Sequence, residues 1–158
     1  MYLAVLLFCC HSCTVEQCIG VACKQGTCIH GTCNCNSGYE GPSCDTIIRN
    51  KFIGNFTVSS SCFNTETYVS RIDYITSTNL TQVSIENMIN LNITVTADIN
   101  GSTGLTISQQ TESGGGQTWI ISGYGSISSD RQTITLNMTY YDTESKITEN
   151  CTETYIRK

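Results

Sequence analysis

The feature that most constrains this chain is a run of six cysteines from Cys18 to Cys44, with gaps of four, four, four, one and eight residues. A segment of 27 residues cannot bury a useful hydrophobic core, so it needs crosslinks in order to fold. Each disulfide would contribute on the order of 2–4 kcal/mol by restricting the unfolded chain. Spacing alone leaves the pairing open. Because disulfides persist only in oxidising compartments, the chain is predicted to be exported.

The end of this run resembles the C-terminal half of an EGF-like domain. Residues 33–44 read CNCNSGYEGPSC, with a Cys-x-Cys pair, a glycine before an aromatic residue, and a second glycine three residues before the last cysteine. The resemblance implies an EGF-like module over residues 14–45. It also implies the disulfide pairing of the family, namely Cys18 with Cys28, Cys23 with Cys33, and Cys35 with Cys44.

No metal or other cofactor is expected in this module. Some EGF-like domains bind calcium, which takes about six to eight oxygen ligands. The lead-in, residues 14–17, holds one carboxylate, and residues 29–32 offer no carboxylate or amide side chain. The cysteine spacing is not that of a zinc site either. The module is therefore interpreted as a disulfide-stapled spacer or interaction module.

Residues 1–13, MYLAVLLFCCHSC, include an apolar run that fits the core of a signal peptide. An apolar run followed at once by small residues and a cysteine resembles the lipobox of bacterial lipoproteins. The resemblance implies acylation of Cys13 and a lipid anchor, at the cell surface or at the periplasmic face of the outer membrane. The alternative is a plain secretory signal, with Cys13 free or paired and the protein secreted.

The cysteine count fits the lipoprotein interpretation. The chain has 11 cysteines, and eight remain if Cys9 and Cys10 leave with the signal and Cys13 carries lipid. Six of these belong to the module, and Cys62 and Cys151 follow it. Four disulfides would then leave no free thiol.

The charge of the chain argues against a nucleic-acid partner. Charged residues make up 13% of the sequence, the net charge is −5, and no run of like charges occurs. A protein that binds nucleic acid would instead cluster lysine and arginine on one face.

After a short predicted linker, residues 46–50, the pattern changes to alternating polar and apolar residues, which indicates antiparallel strands over residues 51–158. Turn residues divide this part into eight predicted strands: Lys51–Ser60, Glu66–Thr76, Gln82–Asn87, Asn92–Ile99, Gly104–Gln109, Trp119–Ile127, Gln132–Tyr141 and Cys151–Arg157.

Cys62 and Cys151 favour a closed sheet. They follow the first predicted strand and begin the last, so in an up-and-down meander they lie at the same rim. A disulfide needs Cα atoms within about 7 Å, which an open meander would not provide. The chain is therefore predicted to be all-β, with an eight-stranded antiparallel barrel of lipocalin-like type behind the module. A two-sheet β-sandwich is the alternative.

The interior of such a barrel is either filled by side chains or holds one small apolar ligand. The residues predicted to point inward suit both cases: Phe52, Phe56, Val83, Ile85, Ile93, Val95, Leu105, Ile107, Ile121, Leu136 and Met138. Four aromatic residues are considered as an exposed platform for sugar, with packing in the sheet as the alternative: Trp119, Tyr124, Tyr140 and Tyr141.

Enzyme chemistry is not expected. Both histidines, His11 and His30, lie before the barrel, which removes Ser-His-Asp and Cys-His schemes there. Most of the carboxylates are predicted to be solvated on polar faces and turns: Asp45, Glu66, Asp73, Glu86, Asp98, Glu112, Asp130, Asp142, Glu144, Glu149 and Glu153. No catalytic residue is assigned.

The sequence therefore predicts a non-enzymatic cell-surface lipoprotein with a structural role or a role in protein or glycan interaction. The alternative is a lipocalin-like carrier of a small apolar ligand. The predicted partners of the chain are the membrane, through the lipid anchor, and a protein or glycan. In the carrier alternative, a small apolar ligand takes the place of the protein or glycan.

Overall fold

The computed structural model describes residues 16–62 and 67–158. The predicted signal segment, with Cys9, Cys10 and Cys13, lies outside the described residues. The chain divides into two compact units between Asp45 and Thr46. In the described part of the chain, no helix is both long enough and apolar enough to cross a membrane.

The first unit is a small disulfide-rich module. A short 3-10 helix, Glu16–Cys18, precedes the strands β1 (Gly26–Ile29), β2 (Thr32–Cys35) and β3 (Tyr39–Glu40). β1 and β2 form an antiparallel hairpin in which Cys28 lies opposite Cys33. Its turn uses His30 and Gly31, at φ 50° and 81°, and positive φ at both central positions matches the twist of a hairpin.

Three disulfides hold this module, with the pairing that the EGF-like resemblance implies. The Cα atoms lie 5.9 Å apart for Cys18–Cys28, 5.6 Å apart for Cys23–Cys33 and 5.2 Å apart for Cys35–Cys44. Packing contributes little, because Ile19 and Ile29 are 77% and 48% exposed. Crosslinks therefore take the place of a hydrophobic core.

Residues 46–50, interpreted from the sequence as a linker, are ordered as the start of the second unit. They comprise the short strand β4 (Thr46–Ile47) and most of a 3-10 helix, Ile48–Lys51. The first barrel strand therefore begins at Gly54 and not at the predicted Lys51. The physical reason is burial: Ile48 in the 3-10 helix and Phe52 directly after it both join the barrel core.

Eight antiparallel strands then close into a barrel, which confirms the predicted fold class and excludes the sandwich. Each strand pairs with its neighbours in the sequence, and the last pairs with the first. The strands are β5 (Gly54–Ser60), β6 (Tyr68–Tyr74), β7 (Gln82–Met88), β8 (Ile93–Asn100), β9 (Gly104–Gly114), β10 (Gln117–Ile127), β11 (Thr133–Asp142) and β12 (Thr148–Arg157).

Alternation of apolar and polar residues builds the barrel core. On β11 the inward residues are fully or almost fully buried, whereas the threonine and asparagine residues between them face outward. All 11 residues that the sequence predicted to point inward are at most 2% exposed.

The seam between β12 and β5 carries the fourth disulfide. Cys62 and Cys151 are bonded with their Cα atoms 5.3 Å apart. Next to the bridge, the Ser61 amide donates to the Thr152 carbonyl at 3.0 Å, and the Thr152 amide donates to the Ser61 hydroxyl at 2.9 Å. The bridge thus fixes the two strands whose pairing closes the barrel.

Two arginines anchor the segment that leads into the barrel. Arg49 is 4% exposed, and its guanidinium donates to the carbonyls of Thr76, Ser77 and Asn79 in the β6–β7 loop. Arg157 donates to the carbonyls of Lys51 and Ile53. Both side chains therefore bind backbone oxygens of the segments that surround the first barrel strand.

Candidate functional site

The barrel interior is filled by side chains. Phe56, Ile72, Ile85 and Leu136 are among the inward residues with 0% exposure. A side chain that lined an enclosed cavity would present surface to a water-sized probe inside it, and these present none. The interior thus has the character of a packed core and not of a ligand cavity.

One carboxyl group lies inside this core. Glu153 is 0% exposed and is therefore an exception to the expectation that most of the carboxylates are solvated on polar faces and turns. Tyr140 Oη donates to Glu153 Oε1 at 2.7 Å, and Tyr155 Oη donates to Oε2 at 2.9 Å. The Tyr155 hydroxyl also lies 3.2 Å from Met88 Sδ. A buried carboxyl is tolerated where hydrogen bonds satisfy it, as they do here.

The pKa values of this cluster follow from its burial. Loss of solvation raises the pKa of Glu153, and hydrogen bonds from the tyrosines oppose that rise. Burial also raises the pKa values of Tyr140, Tyr155 and Tyr68, and the nearby Glu153 carboxyl adds to the effect. Because no surface of Glu153 is accessible to solvent, the group belongs to the core and not to an open site.

The signal for this cluster was present in the sequence. On β12, Cys151, Glu153 and Tyr155 alternate with Thr152 and Thr154, so all three must share a face. Since Cys151 and Tyr155 are of types that are usually buried, Glu153 follows them inward.

The accessible candidate site lies outside, across β10, β11 and β12. Here a groove of about 250 Å³ is open to solvent. Five polar or aromatic side chains line it, and Met138 and Cys151 complete it; the five are Tyr124, Asn137, Thr139, Asn150 and Thr152. We call this surface the outer groove.

Strand register assembles the outer groove. Asn137 lies opposite Tyr124 on β10 and opposite Thr152 on β12, and Thr139 lies opposite Asn150. The Thr139 hydroxyl donates to Asn150 Oδ1 at 2.9 Å, and the Thr152 hydroxyl donates to Asn137 Oδ1 at 3.3 Å. The two hydrogen bonds run in opposite directions across the strand pair and orient both amides.

Among the described residues of the barrel unit, Tyr124 is the most exposed aromatic side chain, at 65%. It lies between Gly123 and Gly125. A Cβ atom at Gly123 would collide with the Met138 sulphur, and a Cβ atom at Gly125 would lie 2.7 Å from the Leu136 side chain. The glycines let inward side chains of β11 lie against the β10 backbone. Tyr124 is therefore presented outward from a tightly packed segment.

Of the two alternatives considered for the four aromatic residues, packing in the sheet holds for Trp119 and Tyr140. Trp119 is 7% exposed and Tyr140 is 0% exposed, so both belong to the core. Tyr141 is half-buried, and Tyr124 alone of the four stands well clear of the sheet.

The outer groove is electrically neutral. None of the residues that line it carries a charge, although the chain as a whole has a net charge of −5. In the described part of the chain, no hydrogen bond engages the Tyr124 hydroxyl or the Nδ2 groups of Asn137 and Asn150. The site offers an aromatic face and oriented amide donors, which are groups that can bind a ligand.

Comparison with protein-family models and with curated proteins finds no match for this chain. Its function must therefore be argued from the residues of the site, because a barrel fold by itself implies no function. The four disulfides indicate an extracellular or periplasmic location.

Proposed function

We propose that this chain is a non-enzymatic protein of the cell surface, held there by a lipid on Cys13, that acts by binding a partner through the outer face of its barrel. The observation that carries the proposal is the filled interior. Since the inward residues of β11 are buried, at 0–2% exposure from Ile134 to Tyr140 and 7% at Asp142, a partner can reach only outward side chains.

The disulfide-rich module serves as a spacer in this proposal. Its residues 33–44 resemble an EGF-like domain, and its three bridges keep it folded with few buried side chains. A crosslinked spacer of this kind resists unfolding and holds the barrel away from the bilayer.

The carrier alternative loses support. A carrier for a small apolar ligand needs a connected cavity of about 300 Å³ or more. The core instead brings Phe56 and Tyr155 into an edge contact, with ring centroids 6.1 Å apart, and seals Glu153 among tyrosines.

Anchoring is tested by expressing the chain in a diderm bacterium supplied with labelled palmitate. We expect the protein in the membrane fraction, with label on Cys13 and a mature N-terminus at that residue. Cys13→Ala is the matched control and should release the protein unlabelled. A mature protein with an unmodified Cys13 would overturn the anchor.

The filled interior is tested on the same protein purified without denaturant. Organic extraction followed by mass spectrometry should recover no stoichiometric lipid beyond the covalent anchor. Recovery of one bound apolar molecule per chain, retained by the Cys13→Ala protein, would restore the carrier.

A further inference from the structure

We infer that the outer groove binds a neutral saccharide, with one sugar ring against the face of Tyr124 and its hydroxyls bonded to the side-chain amides of Asn137 and Asn150. The inference rests on the proposed function, because it supplies the class of partner that the outer face would take. Three features of the groove support it.

The first feature is the exposed ring of Tyr124. An aromatic face offers an apolar, electron-rich surface, which suits the C–H groups on one side of a sugar ring. The Tyr124 side chain is 65% exposed, and its outward neighbours in the sheet are Ser, Thr and Asn residues. Most of its apolar surface therefore contributes no burial free energy to the fold. A ligand that covers the ring would recover that energy.

The second feature is the orientation of the two amides. Each Oδ1 accepts a hydrogen bond from a threonine of the neighbouring strand, at 2.9 Å for Asn150 and 3.3 Å for Asn137. Each Nδ2 group is therefore directed away from that threonine and keeps its donors. Because these bonds exist before a ligand arrives, less side-chain entropy is lost on binding.

The third feature is neutrality combined with size. A groove of about 250 Å³ falls just below the range of about 300–1,000 Å³ that is usual for drug-sized ligands, so it suits a small ring. It has no lysine or arginine for a phosphate or carboxylate, and its polar amides and hydroxyls do not suit a lipid chain. Sugar hydroxyls both donate and accept, and they match threonine hydroxyls and amide groups together.

The test is an NMR titration of the isotopically labelled Cys13→Ala protein, with its four disulfides formed. The probes are neutral mono- and disaccharides of glucose, galactose, mannose, N-acetylglucosamine and N-acetylgalactosamine. We expect at least one probe to shift the backbone amides of residues 123–125, 137–139 and 150–152 in a saturable way. Shifts elsewhere only, or none with any probe up to its solubility limit, would overturn the inference.

Variants assign the contacts. Tyr124→Ala should weaken binding at least tenfold, and Asn150→Asp should weaken it severalfold, because it replaces an amide donor with a carboxylate of the same shape. Ile156→Ala is the matched control: Ile156 is also an outward residue of this sheet, at 54% exposure, and lies outside the groove. Equal weakening by the control and by Tyr124→Ala would contradict the site.

Two further outcomes separate this inference from the proposed function. An anchored protein that binds a protein partner through Tyr124 and responds to no saccharide would overturn the saccharide and leave the proposed function standing. Saccharide binding by a chain whose Cys13 is never acylated would support the saccharide inference and overturn the lipid anchor of the proposed function. Acidic saccharides are included as a contrast, and binding of these alone would contradict the neutral groove.

Discussion

Glu153 sets the pH dependence of the barrel at the scale of a single residue. Its pKa is raised in the folded protein by burial, so between the unfolded and the folded pKa the folded state binds more protons than the unfolded chain. The stabilising effect is complete below the unfolded pKa of about 4.5 and is lost as pH rises through the folded pKa. Hydrogen bonds lower the pKa values of Asp130 and Asp142. Their contribution to stability is present above about pH 3.8 and is lost as the pH falls below that value.

We expect Glu153→Gln to flatten this dependence. The amide keeps an oxygen for Tyr140 or Tyr155 but has no charge to bury, so the variant should gain stability relative to the native chain as pH rises above about 4.5. Urea unfolding at a series of pH values measures it. Parallel curves for the two proteins would show that Glu153 does not titrate differently in the folded state.

Tyr140→Phe should lower the stability of the barrel. It removes the donor that lies 2.7 Å from Glu153 Oε1 and leaves that oxygen without one of its partners. Leaving a buried acceptor without its partner costs about 1–3 kcal/mol, so the free energy of unfolding should fall by about that amount. Thermal unfolding of the outward Tyr124→Phe protein provides the control, and an equal loss there would count against the cluster.

At the scale of elements, the seam between β12 and β5 depends on register and on one crosslink. Glu153 lies opposite Ser60 and Tyr155 opposite Val58, which places Cys62 against Cys151. The bridge joins two cysteines with a sequence separation of 89. A crosslink that closes a long loop removes more entropy from the unfolded chain than one that closes a short loop.

The double variant Cys62→Ser, Cys151→Ser should keep the barrel and lose stability. Removing the crosslink restores entropy to the unfolded chain, so the free energy of unfolding should fall by about 4 kcal/mol. The measurement is the urea midpoint at neutral pH, which should be lower than that of the native chain. Hydrogen exchange should show β5 and β12 opening first. If the double variant unfolds at the same midpoint as the native chain, the bridge contributes nothing at the seam.

The strands were largely predictable from sequence, and the candidate site was not. Alternation along β8 and β11 identifies the inward residues, because a strand has two faces and only one is buried. The start of the barrel was misplaced because Phe52, which directly follows a 3-10 helix, is buried four residues before Phe56, and this even spacing mimics one face of a strand. The outer groove depends on register between β10, β11 and β12, which brings Tyr124, Asn137 and Thr152 together and which no local pattern encodes.

At the scale of the whole molecule, the two units are stabilised by different means. The module depends on three bridges, whereas the barrel has a continuous core that extends from Ile48 to Tyr155. Thiol reduction should therefore affect them unequally.

We expect residues 46–158 to fold without the module. The fragment should unfold cooperatively with a urea midpoint close to that of the barrel in the full chain. Under a reductant, the module in the full chain should lose its dispersed NMR signals while the barrel signals persist. A fragment that is unfolded under native conditions would show that the barrel core is not sufficient.

The Cys62–Cys151 bridge also defines how the barrel would carry mechanical load. In a chain tethered at its N-terminus and pulled by a ligand at the outer groove, tension would pass from Thr46 along β5 to Cys62. It would then cross the bridge to Cys151, which lies between the groove residues Asn150 and Thr152. The strands β6 to β11 lie inside the bridged loop, and of these only β10 and β11 carry groove residues, Tyr124 and Asn137. The share of the load that enters through Asn150 and Thr152 therefore reaches the tether across the bridge without passing along β6 to β9.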